Sequence, residues 1–400
     1  MEWKEVTLGE ISSKIGDGLH GTPKYDDEGP YYFINGNNLN CGKIIIKDDT
    51  KRVGEDEFVK NQKELNEQTI LVSINGTIGN VAKYNNEPCI LGKSACYINV
   101  IKEVDKEFIY YILTSANFKR NITNEATGTT IKNVSLKQMR EYKFNIPCNI
   151  SDQRCIASIL SSLDRKIELN NKINADLEEM AQTICKNWFV DFEPFKDGKF
   201  VDSELGMIPE GWKVGRLTEI ASYMNGLAMQ KFPPENNEDS LPVLKIKELG
   251  QGFCGTDSDR CSCNIKDECK IHNGDVIFSW SGTLLVDVWC GGDCGLNQHL
   301  FKVTSKDYPK WFYYYWTKHH LQEFVHIAKD KAVTMGHIKR GHLEEAMVAI
   351  PDNDSMEKAH ELFEPILSKM ISLRLENSRL SLLRDTLLPR LMLGEIEVPE

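Results

Sequence analysis

The chain repeats itself, and the repeat governs every other reading of it. The segment Trp3–Ile11, WKEVTLGEI, recurs as Trp212–Ile220, WKVGRLTEI, and ILVSINGTIGN at Ile70–Asn80 recurs as VIFSWSGTLLV at Val276–Val286. Phe108–Leu113 answers Trp311–Trp316, and Ala126–Pro147 answers Lys331–Pro351. The offset holds from end to end, 209 residues from Trp3 to Trp212 (212 − 3) and 204 from Pro147 to Pro351 (351 − 147). Chance similarity does not keep register over a whole unit. The chain therefore reads as two copies of a globular module.

Each copy is followed by a long stretch of helical periodicity. In Ser151–Phe192, the residues Ile156, Leu160, Leu163, Ile167, Asn170, Asn174, Leu177, Ala181 and Ile184 alternate steps of four and three. In Asp354–Val398 the same spacing runs through Ala359, Phe363, Ile366, Met370, Leu373, Asn377, Leu380, Arg384 and Leu387. This is the seam of a coiled coil, and the polar Asn170, Asn174 and Asn377 within it would fix register at some cost in stability. A helix of this length spans roughly 55 Å, too long for one wall of a compact core. The simplest arrangement pairs the two helices with each other, and two amphipathic helices packed each on its own domain is the alternative. Pro365 predicts a break or kink near the start of the second helix.

Within a module the pattern is mixed. Ile44–Ile46, Thr69–Ile74, Ala95–Val100 and Tyr142–Ile146 are short and β-branched or aromatic, and they predict strands. Lys106–Asn121 has helical spacing, and Leu136–Arg140 reads as a shorter helix. The loops between them, GDGLHGTPKYDDEG, NGNNLNCG, SINGTIGN and ATGTTIKNVS in the first copy, are rich in Asn, Gly, Thr and His. They are turn residues in one reading and a surface that meets base edges and phosphates in the other. Gly198–Trp212, with Gly206, Pro209 and Gly211, has the composition of a linker.

The net charge of −11 argues against a basic nucleic-acid binder, yet residues 1–150 hold 19 basic and 20 acidic side chains, close to balance. Any DNA contact must then come from a locally basic groove or be shared with partner subunits. The opening Met1–Glu10 carries charges and no apolar run, so a cytoplasmic location without a signal peptide is expected, and the twelve cysteines are expected as free thiols.

Enzymatic readings find little support. Gly92-Lys93-Ser94 invites a phosphate loop, but the earlier glycine that loop needs falls on Glu87 and a strand-like run follows. No Asn/Asp-Pro-Pro-Tyr/Phe motif of an amino-methyltransferase, no nuclease constellation and no helicase signature is found. Cys254, Cys261, Cys263 and Cys269 are separated by six, one and five residues, not by paired Cys-x2-Cys knuckles, so no metal is expected.

The run Trp188-Phe189-Val190-Asp191-Phe192, then Asp202-Ser203-Glu204-Leu205-Gly206 and Ile208-Pro209-Glu210-Gly211-Trp212, resembles the central region of specificity subunits of type I restriction-modification systems. The tail Leu383-Arg384-Asp385-Thr386-Leu387-Leu388-Pro389-Arg390-Leu391 with Gly394-Glu395-Ile396 is similar to their C-terminal region, and Asp17–Tyr25 looks like the start of one of their target-recognition domains. Where the family often has Glu-Gln after the module's Ile-Pro, this chain has Asp152-Gln153 and Met356-Glu357.

The resemblance implies an α+β fold of two target-recognition domains in tandem repeat, separated by two long helices pairing as an antiparallel coiled coil with pseudo-twofold symmetry. The expected domains are 1–150 and 212–351 for recognition, 151–195 and 352–400 for the spacer helices, and 196–211 for the linker. It further implies a non-catalytic subunit that binds double-stranded DNA, reads one half of a bipartite site with each domain, and docks two methyltransferase subunits and through them restriction subunits. S-adenosylmethionine, ATP and magnesium would belong to those partners, with no cofactor and no membrane for this chain.

Contact residues are taken by position in the repeat. In the first module they are His20, Thr22, Lys24, Tyr25, Asn35, Asn37, Asn38, Ser73, Asn75, Thr77, Lys93, Thr129, Thr130 and Lys132. In the second they are Asn225, Gln230, Lys231, Lys245, Lys247, Ser279, Trp280, Ser281, Thr283, Gln298, His299, Thr334, His337 and Lys339. Asn and Gln bond adenine in a bidentate way, and Lys suits guanine or phosphate. The two sets differ at most positions, which predicts two different half-sites. A coiled-coil scaffold without a nucleic-acid role, and the recognition subunit of a fused restriction-methylation system, are the competing readings.

Overall fold

A computed structural model describes residues 1–126, 132–235, 239–330 and 336–396. The chain divides into a first unit, Met1–Lys166 with Leu380–Glu400, and a second, Ile167–Arg379.

The first unit is built on a four-stranded antiparallel sheet in the order Ser12–Asp17, Ala95–Val100, Thr69–Ser73 and Val81–Lys83. The two central strands, ACYINV and TILVS, are buried at every position, so β-branched and apolar residues face both layers. Thr69, Ser73 and Asn99 are the polar exceptions, and Thr69 Oγ1 donates to Asn99 Oδ1, opposite it in the register, at 2.7 Å. Beside this sheet lie a three-stranded sheet, in which Tyr31–Ile34 runs parallel to Cys89–Leu91, and an antiparallel pair of Trp3–Thr7 with Lys143–Pro147.

The helical run expected over Lys106–Asn121 is two helices, Lys106–Thr114 and Ala116–Glu125. Ser115 divides them. Its extended backbone (φ −62, ψ 150) ends the first helix, and its hydroxyl accepts from Phe118 N at 3.2 Å to cap the second, the usual competition of a serine side chain with the helical ladder.

The second unit repeats the plan. Its main sheet has the order Ser222–Asn225, Leu300–Thr304, Val276–Ser279 and Leu285–Val288, strand for strand the counterpart of the first. Ser240–Leu244 runs parallel to Cys294–Leu296, and Lys213–Arg216 pairs with Met347–Ile350. The segment expected as a linker is instead a hairpin of Phe200–Ser203 and Gly206–Pro209. Its two-residue turn places Gly206 at φ +83, where a glycine is free of strain, and Ser203 Oγ donates to Gly206 O at 2.6 Å.

Two helices of 40 residues, Ile150–Phe189 and Asn353–Met392, give an end to each unit. In the second unit they meet antiparallel in the asparagine seam. Asn170 Nδ2 donates to Asn377 Oδ1 and Glu376 Oε2, each at 2.8 Å, and Asn377 Nδ2 donates to Asn171 Oδ1 at 2.8 Å. In the first unit Arg384 NH1 reaches Asp164 Oδ1 at 2.8 Å, and the second Asp164 oxygen accepts from Tyr111 OH at 2.7 Å. The helix does not break at Pro365. The carbonyl that Pro365 leaves without a partner belongs to the exposed Glu361, open to water, while buried Phe363 and Leu367 hold the helix on both sides.

The second unit's core gathers around Phe189, at the end of the first long helix. Its ring centroid lies 5.8 to 6.3 Å from Trp212, Trp311, Phe312, Trp316 and Phe363. The first unit's core joins Phe108, Phe118, Ile156 and Leu160 to Leu388, Leu391 and Met392 from the chain's last stretch. Among the described residues no helix is long and apolar enough to cross a membrane.

Candidate nucleic-acid interface

In the first unit, the register of the main sheet sets opposite one another Asp17 and Cys96, and Ser73 and Ala95, so the loops after Asp17 and Ser73 and before Ala95 leave from one end. Backbone bonds tie these loops together. Lys93 N donates to Leu19 O at 3.0 Å, Ile74 N to Ser94 O at 3.0 Å, and Val134 N to Ile74 O at 2.9 Å. Asn35 joins them, its Oδ1 accepting from Ser94 Oγ at 3.0 Å. The approach is close enough to demand glycine: a Cβ on Gly18 would stand 2.0 Å from Leu91 O, and one on Gly92 2.1 Å from Asn35 Oδ1.

This set brings His20, Asn35, Asn75, Thr77, Lys93 and Lys132 to one sheet end. His20, Thr77, Lys93 and Lys132 are exposed, while Asn35 and Asn75 are partly buried. The His20 ring stands 2.7 Å from Asp17 Oδ2, which orients it. Thr22, Lys24 and Tyr25 are exposed on the flank, where Tyr25 bridges to Val53 of the three-stranded sheet. Asn37 is exposed beside Asn38. Asn38 and Ser73 belong to the fold's interior: Asn38 Nδ2 donates to Ile45 O at 3.0 Å, and Ser73 Oγ donates to Thr77 O. Burial removes both from the exposed set. Thr129, Thr130 and Thr334 lie outside the described residues.

The second unit presents the same loops with other side chains. Asn225 pairs with Phe301 and Ser279 with Leu300, and the loops beyond them meet through Leu227 N to Leu296 O at 2.9 Å and Ile338 N to Trp280 O at 3.0 Å. Asn225, Trp280, Ser281, Gln298, His299 and His337 come together here. The Trp280 ring lies 5.9 Å from His299 and 6.3 Å, edge to face, from His337. Ser281 Oγ is 3.2 Å from His299 Nδ1, and Gln298 Nε2 is 3.3 Å from His299 Nε2. Thr283 is exposed in the same turn, and Gln230 and Lys231 are exposed on the short helix Met229–Lys231. Lys245 and Lys247 are paired with Asp259 and Asp257, so neither is an unopposed cation. Lys339 starts the helix Arg340–Glu345, Ser279 is fully buried, and Ser281 is buried too with its Oγ turned to His299, so burial removes both serines from the exposed set.

The sequence reading passed over Asn133, whose Oδ1 accepts from Asn75 Nδ2 at 3.1 Å across an antiparallel bridge. The bridge Ser281 to His337 is its counterpart, and the repeat offset (337 − 133 = 204) carried the signal that finds it.

The arrangement is a polar, hydrogen-bonding surface with scattered lysines. Among the described residues no group of three or more His, Cys, Asp or Glu is placed to hold a metal ion. A groove of about 830 Å³ in the first unit is formed away from these loops, against Tyr111, Asp164, Arg384 and Met392.

The type I restriction modification DNA specificity domain matches the chain twice, over residues 1–179 and 209–377. The chain belongs to that family. The specificity family's double match agrees with the two units of like strand order. Over 397 residues the chain is 28% identical to the type I restriction enzyme MjaIX specificity subunit of Methanocaldococcus jannaschii, covering 95% of this chain and 87% of that one. It is 22% identical to the HindI specificity subunit of Haemophilus influenzae, over 72% of this chain and 77% of the relative. In fold it is similar to the crystal structure of the type I restriction-modification S subunit from M. genitalium, with a TM-score of 0.54, 18% identity, and coverage of 100% of this chain and 96% of that one. These relatives are specificity subunits.

Proposed function

We propose that this chain is the sequence-reading subunit of a type I restriction-modification complex, in which each unit reads one half of a bipartite, asymmetric DNA site. One observation carries the reading: the same loops leave the same end of the same sheet in both units, but present different side chains. His20, Asn35, Asn75 and Lys93 stand in one unit, and Trp280, Gln298 and His299 in the other. A shared scaffold with divergent loop tips is what two unlike half-sites require.

The chain docks two methyltransferase subunits, and through them restriction subunits. The repeat supports this part, since two copies of one partner need two equivalent surfaces. Partners also supply phosphate contacts, which fits a reader whose own net charge is −11. The proposed layout is recognition domains at 1–150 and 212–351 with spacer helices between.

Mapping adenine methylation in a strain expressing this chain with its neighbouring methyltransferase tests the reading. The expected product is a split motif with two different halves, and a double variant Gln298→Ala, His299→Ala alters one half alone. Identical half-sites, both halves altered by that variant, or no methylation that depends on the chain would each overturn it.

A further inference from the structure

Six of the twelve cysteines, Cys254, Cys261, Cys263, Cys269, Cys290 and Cys294, lie in the second unit within 41 residues (294 − 254 + 1). Three of them gather around one strand. Cys294 is fully buried on the strand Cys294–Leu296, which is flanked by Ser240–Leu244 and Lys270–Ile271. Cys254, half-buried, sits in the loop after the helix Ile246–Gln251 and packs on the same apolar cluster as Cys294, with Leu244, Leu249 and Trp289. The Cys261 sulfur lies against the next backbone position, 2.6 Å from where a Cβ on Gly295 would stand.

The loop that carries Cys254 is held in place. Gly252, at φ +81, turns the chain out of the helix, and Ser258 Oγ donates to the buried Glu248 Oε1 at 3.1 Å. The neighbouring Cys294 holds the Cys254 thiol below its usual range, whereas Cys254 and burial push Cys294 well above. The first unit has no such pair. Its corresponding strand carries Cys89, whose thiol burial pushes up to about 12, while Cys41 is exposed on a turn.

We propose that Cys254 and Cys294 are an oxidisable thiol pair whose disulfide ties the loop 252–259 to the strand Cys294–Leu296. With a peroxide as oxidant, the Cys254 thiolate attacks one peroxide oxygen, the O–O bond breaks, and Cys254 becomes a sulfenic acid as hydroxide leaves and takes up the proton that the thiol had released, giving water. The Cys294 sulfur then attacks the Cys254 sulfur, the S–O bond breaks, and a second water leaves with the Cys294 proton. The peroxide takes up two electrons and the two thiols lose them. A disulfide needs Cα atoms about 4.4–6.8 Å apart, a demand placed on two cysteines that pack on one apolar cluster. The strand runs on into Asn297–His299, so the tie fixes the base of a loop on the recognition surface. That consequence rests on the proposed function, whereas the chemistry does not.

The test uses the purified full-length chain, treated with hydrogen peroxide, blocked with N-ethylmaleimide and digested without reductant. Mass spectrometry is expected to find the Cys254 peptide joined to the Cys294 peptide with the loss of two hydrogens, and that joined species is absent from the Cys254→Ser variant. The exposed Cys41 and Cys148 report that peroxide has acted. Their oxidation without a Cys254–Cys294 link, or a link from Cys294 to Cys261 instead in the unsubstituted chain, overturns the proposal. Because the readout is a covalent bond, it stands or falls independently of DNA binding.

Discussion

Phe189 offers the sharpest test of how the second unit is held together. Replacing a buried phenylalanine with alanine costs about 3–5 kcal/mol, the larger values arising where the walls cannot close on the cavity. Here the walls are rings. Trp212, Trp311, Phe312, Trp316 and Phe363 come from three separate segments, and Trp311 is itself stacked on Phe363 at 4.7 Å, so none moves inward without losing its own partners. Each lost ring pair adds about 0.5–1.5 kcal/mol beyond buried area, though such terms do not sum fully. Phe189→Ala is therefore expected near the top of the range, about 5 kcal/mol. Six of the seven tryptophans, Trp188, Trp212, Trp280, Trp289, Trp311 and Trp316, belong to the second unit, so tryptophan fluorescence during urea unfolding reports that unit almost alone. With a slope of about 3 kcal/mol per molar urea, the midpoint should fall by about 1.7 M. A fall smaller than about 0.3 M would show that the rings close over the gap and that Phe189 is not the centre of this core.

Two further expectations follow from the seam and from the loops. Asn170 is fully buried and its Oδ1 has no hydrogen-bond partner, so Asn170→Leu should raise the same urea midpoint, by about 1 kcal/mol of stability, and a lowered midpoint would refute the view that this asparagine trades stability for register. Lys93→Ala, measured in the complex with the methyltransferase, should weaken binding to all duplexes alike and reduce the salt slope of log affinity by about one, whereas an unchanged slope with a loss confined to one sequence would make Lys93 a base reader.

Much of the fold was legible because the repeat states it twice. Ala95–Val100 was delimited from its β-branched, apolar run alone, and Thr69–Ser73 to within one residue. The features that escaped depend on partners distant in sequence. Nothing near Tyr31–Ile34 announces a parallel partner at Cys89–Leu91, and the composition of Gly198–Trp212 signals turns without revealing that its two arms pair. Ser115 divides a helix through a cap that helical spacing does not register, and Pro365 fails to divide one because Phe363 and Leu367 hold it. In the loops, residue type located the surface but not exposure. Asn38, Ser73 and Ser279 have the same chemistry as their neighbours, and only the packing of the sheet ends sends them inward.

The first unit's core is completed by Leu388, Leu391 and Met392, residues that follow the whole of the second unit in the chain. On a ribosome adding about 5–20 residues per second, the N-terminal module waits at least ten seconds, with Ile156 and Leu160 uncovered, while Ile167–Arg379 is made. The later-made unit is contiguous and can close first. The first-made core is thus the last to be completed, and Ile156 and Leu160 stay open to solvent until the last turns of helix arrive.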